Sequence, residues 1–237
     1  MRKSGSTALR AVIFLAALAV LSASLLAGTV AKYITKEGNV GSASVSKFGV
    51  VLRVSDDSMF ETSYNDPTDD FVSVSSTVPV VAPGTKDNGV VFSITGTPEV
   101  NTHVTVELKA NNDVFLKKED DSIYTPLVFT LTQVGDANGE LAVPVVLKSG
   151  TLTEVANWLE SYSASENAYH NAGTNLKSSF RLSWNWSYEV DEATDAYDTT
   201  LGNIAADKAT FGAGLTEGVD YSITVDYQVT ITVAQVN

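Results

Sequence analysis

The two histidines of this 237-residue sequence, His103 and His170, are its first candidates for acid–base or metal chemistry. His103 falls on the polar face of an alternating segment, and His170 lies in a polar stretch. A catalytic zinc site needs three protein ligands and an open position, and a serine hydrolase needs an oriented triad. The sequence has no His-Glu-x-x-His motif, no Gly-x-Ser-x-Gly motif and no cysteine. We therefore predict two solvated histidines, no catalytic residue and no enzyme activity, with a secreted hydrolase kept as an alternative.

Clusters of aspartate and glutamate offer the hard oxygen ligands that calcium prefers. The cluster with the densest carboxylates contains Asp191, Asp195 and Asp198, which makes these residues the candidate metal ligands. No cluster matches an EF-hand loop, and solvated loop charge is the alternative for each. We therefore predict no cofactor, and calcium is the one ion that the sequence could accommodate.

A row of aromatic residues, Trp184, Trp186 and Tyr188, shares one face of an alternating segment with Phe180 and Leu182. Such a row could stack on a sugar. On an alternating strand, burial in a core is the more common role, because large aromatic surfaces dominate sandwich stability. We therefore predict that this row lies in the core.

Alternation of apolar and polar residues with a period of two is the dominant pattern after Val40, and it is typical of strands with one buried face. The clearest alternating segments are Phe48–Val54, Val100–Leu108, Phe180–Tyr188 and Ile223–Val233. A weaker candidate, Leu141–Leu147, contains Pro144, which predicts an edge strand or a bulge because proline cannot donate to a ladder.

Two segments carry helical signals. Thr151 and Glu154 have the spacing of a capping box, and the stripe that follows predicts a short helix over Thr151–Ser161. Leu201–Ala209 is a second candidate, while Ser163–Thr174 and Val190–Thr200 are predicted loops. The predicted fold is therefore all-β, a jelly-roll-like antiparallel β-sandwich with one or two short helices.

The first 31 residues have the three parts of a secretory signal peptide. Basic residues precede an apolar run, Ala11–Gly28, and small residues follow it at Thr29 and Ala31. We predict cleavage after Ala31 by a signal peptidase; a permanent membrane anchor is the alternative, since 18 residues lie near the lower limit for a membrane span.

The formal net charge is −13, and removal of the three basic leader residues leaves 12 basic and 28 acidic residues, or −16. Such a surface repels nucleic acid and anionic lipid headgroups. Together with the leader, this charge predicts a secreted protein that binds no nucleic acid and contacts the membrane only through its leader before cleavage.

The predicted mature chain divides into an extension, residues 32–46, and a sandwich domain, residues 47–237. The extension has some apolar residues, Val40, Ala43 and Val45, but no steady alternation that would fix it in one sheet. A free extended segment can add to an exposed sheet edge, and head-to-tail addition builds an open filament. We predict that the extension donates a strand to another copy of this chain; the alternative is that it folds onto its own sheet or remains a tail.

Several stretches resemble the TasA/camelysin family. They are Gly28–Tyr33, Gly41–Ala43 leading into Phe48–Val54, Trp184–Trp186, Asp198–Gly202 and the ending Ile231–Val236. The resemblance implies a signal peptide processed by a SipW-type signal peptidase and a jelly-roll subunit that polymerises into pilus-like filaments or biofilm matrix fibres. In such fibres the N-terminal segment of one subunit completes the sheet of its neighbour. A monomeric cell-surface module that binds glycan or calcium is the alternative function.

Overall fold

The computed structural model describes residues 34–38, 44–45, 49–55, 58–65, 73–136, 139–188 and 190–236. The compact unit that contains them spans Ile34–Asn237, and therefore begins before residue 47, the predicted start of the sandwich. The predicted leader with Thr29 and Ala31, and the donor candidates Val40 and Ala43, lie outside the described residues.

Strands account for most of the regular structure in the described residues. In chain order they are β1 (Ile34–Gly38), β2 (Ser44–Val45), β3 (Val50–Val54), β4 (Ser63–Asn65), β5 (Ser73–Ser75), β6 (Lys86–Gly96), β7 (Thr102–Asn112), β8 (Phe115–Lys117), β9 (Ile123–Tyr124), β10 (Leu127–Asp136), β11 (Gly139–Gly150), β12 (Tyr169–His170), β13 (Leu176–Trp186), β14 (Tyr221–Ser222) and β15 (Asp226–Gln235). The helices are α1 (Leu152–Ser163), α2 (Glu192–Ala206) and α3 (Lys208–Phe211), and a 3₁₀ turn spans Glu166–Ala168.

Two antiparallel sheets form the body of the protein. The first has the order β1-β15-β7-β12, and the second has the order β11-β10-β13-β6-β3-β2. One continuous hydrophobic core lies between them, to which the first sheet contributes Val106 and Ile231 and the second contributes Phe92 and Phe129. The prediction of an all-β antiparallel sandwich with short helices is confirmed, although the described residues form three helices and not one or two.

The aromatic row on β13 lies in this core, as predicted for Trp184 and Trp186. Trp184 is 2% exposed, and its indole Nε1 donates a hydrogen bond of 2.7 Å to the carbonyl oxygen of Met59. The rings of Phe60 and Tyr64 pack against it, with centroid distances of 5.7 and 5.8 Å. Tyr188 follows the end of the strand and is exposed, so the buried row ends at Trp186.

Helix α1 begins at the predicted capping box. Thr151 Oγ1 accepts a hydrogen bond from the Glu154 N–H, and the Glu154 carboxylate accepts one from the Thr151 N–H. The buried stripe Leu152, Val155 and Leu159 packs on the sandwich. The helix is confirmed and continues to Ser163, two residues beyond the predicted end.

Asp113 lies at the start of α1, where its carboxylate accepts hydrogen bonds from the Val114 and Leu152 N–H groups. Burial raises the pKa of Asp113 to about 6, even though these bonds favour the charged form. The folded protein therefore binds this proton more tightly than the unfolded chain, whose aspartate pKa is near 3.8. The stability that Asp113 contributes is complete below pH 3.8 and is lost as the pH rises through 6.

We expect this loss to reach about 3 kcal/mol in the free energy of unfolding at neutral pH, from a shift of about two units. Urea denaturation of the wild type and of Asp113→Asn between pH 4 and pH 7 measures it. In Asp113→Asn the free energy of unfolding should no longer show this fall as the pH rises. The exposed control Glu119→Gln should still show it. Parallel pH profiles of the wild type and Asp113→Asn would contradict the assignment.

Helix α2 corrects the prediction of a loop over Val190–Thr200. Asp191 caps it by accepting a hydrogen bond from the Thr194 N–H, and the buried residues Asp198, Leu201 and Ile204 recur at helical spacing. The remaining positions are mostly polar and exposed, which explains why the sequence suggested a loop. The second predicted helix, Leu201–Ala209, covers only the C-terminal part of α2 and the start of α3.

Candidate functional site

The edges of the two sheets are the features through which this sandwich could bind an extended partner, since an edge strand carries unpaired N–H and C=O groups. Strands β1 and β12 form the edges of the first sheet, and β11 and β2 form the edges of the second. These four edges differ in length, from two residues in β2 and β12 to twelve in β11.

The β1 edge contains the described part of the predicted donor segment. Strand β1 pairs antiparallel with β15 over five positions, from Ile34 opposite Ala234 to Gly38 opposite Thr230. Val45, the third donor candidate, lies in β2 opposite Val51 of β3. In the single chain the described part of the segment therefore pairs with its own sheets, which is the alternative that the sequence left open.

Strand β15 supplies the surface on which β1 lies. Its residues Val229, Ile231 and Val233 are buried in the core, and its opposite side pairs with β7 along nearly the whole strand. Among the described strands of the first sheet, β1 pairs with β15 alone. The short β1 therefore forms the border of this sheet, whereas β15 lies between β1 and β7.

Helix α1 lies beside β7, on the side that faces away from β15. Ser163 Oγ accepts a hydrogen bond from the Val106 N–H and donates one to the Val106 carbonyl oxygen. The hydroxyl therefore satisfies both backbone groups that a neighbouring strand would otherwise bind. A cavity of about 340 Å³ lies alongside, lined by both elements, including Glu107 and Glu160. The helix therefore covers β7 beyond the two residues of β12.

The three aspartates of the candidate calcium site lie on or at the start of α2, and the carboxylates of Asp191 and Asp198 bind protein groups. Asp191 caps the helix, and hydrogen bonds from Thr194 lower its pKa. Asp198 is 7% exposed, and its Oδ1 accepts hydrogen bonds from the Tyr124 hydroxyl at 2.7 Å and from Trp186 Nε1 at 3.0 Å. Calcium binding here stays a prediction, and within the described ranges no group of three or more histidine, aspartate or glutamate residues is arranged to hold a metal ion.

Asp198 is a structural residue that the sequence assigned only as a metal ligand. Burial raises its pKa, and the hydrogen bonds from Tyr124 and Trp186 oppose that rise. The Lys118 ammonium lies over the rings of Tyr124 and Tyr197, at 5.8 and 5.0 Å from their centroids. This arrangement attaches α2 to β9 and β13.

The two histidines are closer together than the sequence indicated. His103 on β7 stacks on Tyr169 of β12 at 4.2 Å, and its Nε2 lies 2.7 Å from the Ser163 carbonyl oxygen. Burial, together with the proximity of His103, lowers the pKa of His170. Both histidines are half-buried and not fully solvated, and their described contacts are structural.

Comparisons with known proteins leave the family of this chain open: no family model, no curated protein and no solved structure matches it. Within the described part of the chain, no helix combines the length and hydrophobicity needed to cross a membrane. The resemblance to the TasA/camelysin family therefore stays a prediction from the sequence.

Proposed function

We propose that this protein is an exported structural subunit of an extracellular fibre or biofilm matrix, and that its subunits join head to tail by exchange of strand β1. The observation that supports this proposal is the position of β1. It follows the predicted leader by two residues, and it forms the edge strand that pairs with β15.

Strand exchange keeps the pairing that the single chain already makes. When β1 of one copy leaves its own β15 and pairs with β15 of another copy, the same five register positions are filled. Exchange of an identical element is a low-cost route to assembly, because few new contacts are required. In this proposal the leader holds β1 at the membrane, and its removal by a signal peptidase frees β1 for exchange.

The pairing of β1 within a single chain also favours the second candidate function, a monomeric cell-surface module that binds glycan or calcium. The two functions differ in where β1 pairs in the mature protein. A strand that remains on its own β15 gives a monomer, and a strand that crosses to another copy gives a chain of subunits.

A cysteine pair across the β1–β15 register distinguishes the two functions, because the natural chain contains no cysteine. Lys36 lies opposite Thr232, so the variant K36C/T232C places two thiols at facing positions. Under mild oxidation of the mature protein we expect a ladder of covalent oligomers on non-reducing gels, together with filaments by negative-stain microscopy. Disulfides require Cα atoms within about 7 Å of each other, which only this register provides.

The matched control is K36C/Q228C, in which the second thiol lies four residues away from the paired position. It should give no ladder, since four residues along a strand span about 13 Å. A K36C/T232C protein that oxidises only within the monomer, with no filaments, overturns the proposal of strand exchange and favours the binding module. Loss of filaments on deletion of residues 32–46 is the expected supporting result.

A further inference from the structure

Strand β11 is an edge strand with an unusual apolar surface. Among the strands that the structure describes, it pairs with β10 alone and forms the border of the second sheet. Its residues Val143, Val145 and Val146 are 77%, 50% and 60% exposed. A long edge strand that exposes apolar side chains is a site where another strand can add.

The middle of β11 departs from the β10 ladder. Glu140 lies opposite Gly135 and Val145 lies opposite Gln133, so five residue steps on β11 face two steps on β10. A second irregularity follows after Val146, which lies opposite Thr132. The stretch around Pro144 is therefore held loosely by its own sheet, as the sequence predicted for a strand that contains a proline.

The sequence of this stretch is self-complementary about Pro144. Reading outward in both directions, Val143 matches Val145, Ala142 matches Val146, Leu141 matches Leu147, and acidic Glu140 matches basic Lys148. Two copies of the strand in antiparallel orientation, with a two-fold axis at Pro144, would therefore place apolar residues opposite apolar residues. The same register places opposite charges at both ends, which is the favourable cross-strand arrangement.

We propose that β11 binds β11 of a second copy of this chain through an antiparallel pairing centred on Pro144. The interface is isologous, because each copy contributes the same strand. Antiparallel ladders alternate between hydrogen-bonded and non-hydrogen-bonded pairs, and proline fits the latter because it has no N–H to donate. With Pro144 at such a position, Val143 of one copy exchanges backbone hydrogen bonds with Val145 of the other.

Charge also favours this part of the surface for self-association. The chain has a formal net charge of −13, so two copies repel each other over most approaches. The stretch from Glu140 to Lys148 carries one acidic and one basic residue and is neutral as a unit. This pairing uses another sheet edge than the β1–β15 exchange, and it links two copies side by side whether or not they also form filaments.

The direct test is a single cysteine on the proposed axis. In the mature P144C variant, mild oxidation is expected to give a covalent dimer, because the two thiols face each other across the axis. A single cysteine per chain cannot give a ladder, so the dimer band is distinguishable from strand exchange at β15. The matched control is S149C on the same strand, where the two thiols would lie about 33 Å apart.

Charge reversal gives an independent readout by sedimentation velocity. K148E alone and E140K alone are each expected to weaken dimerisation at least tenfold, since each places like charges opposite one another. The double variant E140K/K148E should recover the wild-type dimerisation constant, because it restores opposite charges at both ends. V78K, which alters an exposed valine outside β11, should leave it unchanged.

Two outcomes overturn the proposal. In one, P144C oxidises no faster than S149C and the wild type forms no dimers through β11. Pro144 and the bulge would then protect this edge against pairing. In the other, dimers form but K148E, E140K and the double variant all dimerise as the wild type does. Either result leaves the exchange of β1 untouched, because that exchange has its own cysteine pair.

Discussion

Trp184→Ala is expected to lower the free energy of unfolding by about 3–5 kcal/mol, the largest effect among the single substitutions considered. Trp184 is 2% exposed and lies between the two sheets, where its ring contacts Phe60 and Tyr64. Its removal leaves a cavity that the surrounding strands cannot fill, and it leaves the Met59 carbonyl oxygen without its donor. Because small domains are stable by about 5–15 kcal/mol, this loss is a large part of the total.

Trp184→Phe serves as the matched variant. It keeps an aromatic ring for the contacts with Phe60 and Tyr64 but removes the indole N–H, so we expect a smaller loss of about 1–3 kcal/mol. Urea denaturation of both variants is monitored by circular dichroism at low protein concentration. The difference between the variants separates the contribution of ring packing from that of the hydrogen bond. Equal losses for the two variants would show that packing contributes little at this position.

Asp198→Ala is expected to lower the free energy of unfolding by about 2–4 kcal/mol, because it leaves one buried and one partly buried donor without an acceptor. These donors are the Tyr124 hydroxyl and Trp186 Nε1, which both bind Asp198 Oδ1. Since the carboxylate joins α2 to β9 and β13, we also expect α2 to exchange its amide hydrogens faster. Urea denaturation and hydrogen exchange measure the two effects.

Asp195→Ala is the matched control, since Asp195 lies on the same helix, three residues earlier, and is outside the hydrogen bonds that join Asp198 to Tyr124 and Trp186. It should change stability by less than about 0.5 kcal/mol. Tyr124→Phe in the Asp198→Ala background should cost little more than Asp198→Ala alone, because the hydroxyl has already lost its acceptor. A stability loss for Asp198→Ala no larger than that for Asp195→Ala contradicts a structural role for this carboxylate.

Local patterns in the sequence predicted the elements that have one buried and one solvent-exposed face. The alternation around Val100–Leu108 became β7, and the row that contains Trp184 became the buried face of β13. The capping box of Thr151 and Glu154 predicted the start of α1 to within one residue. These predictions succeeded because period-two alternation and capping chemistry depend on neighbours in the chain.

The features that the sequence did not reveal depend on distant partners. Helix α2 buries little apolar surface, and its central contact joins Asp198 to Tyr124, 74 residues earlier. For the same reason the aspartates of this helix were assigned to a loop and to calcium. Strand β1 is too short and too polar for its alternation to indicate a partner at the opposite end of the chain. The symmetry of β11 is readable from the sequence, but its significance requires the edge position.

The pairing of β1 with β15 joins the first strand after the predicted leader to the last strand of the chain. In the proposed export, β1 emerges before β15, because it precedes β15 in the chain. The four-stranded sheet therefore closes late, and long-range closure of this kind is slow. Under this proposal we expect β1 to meet β15 of a neighbouring copy before its own β15 is available; late protection of the β1 amides in pulsed hydrogen exchange is the measurement that checks this.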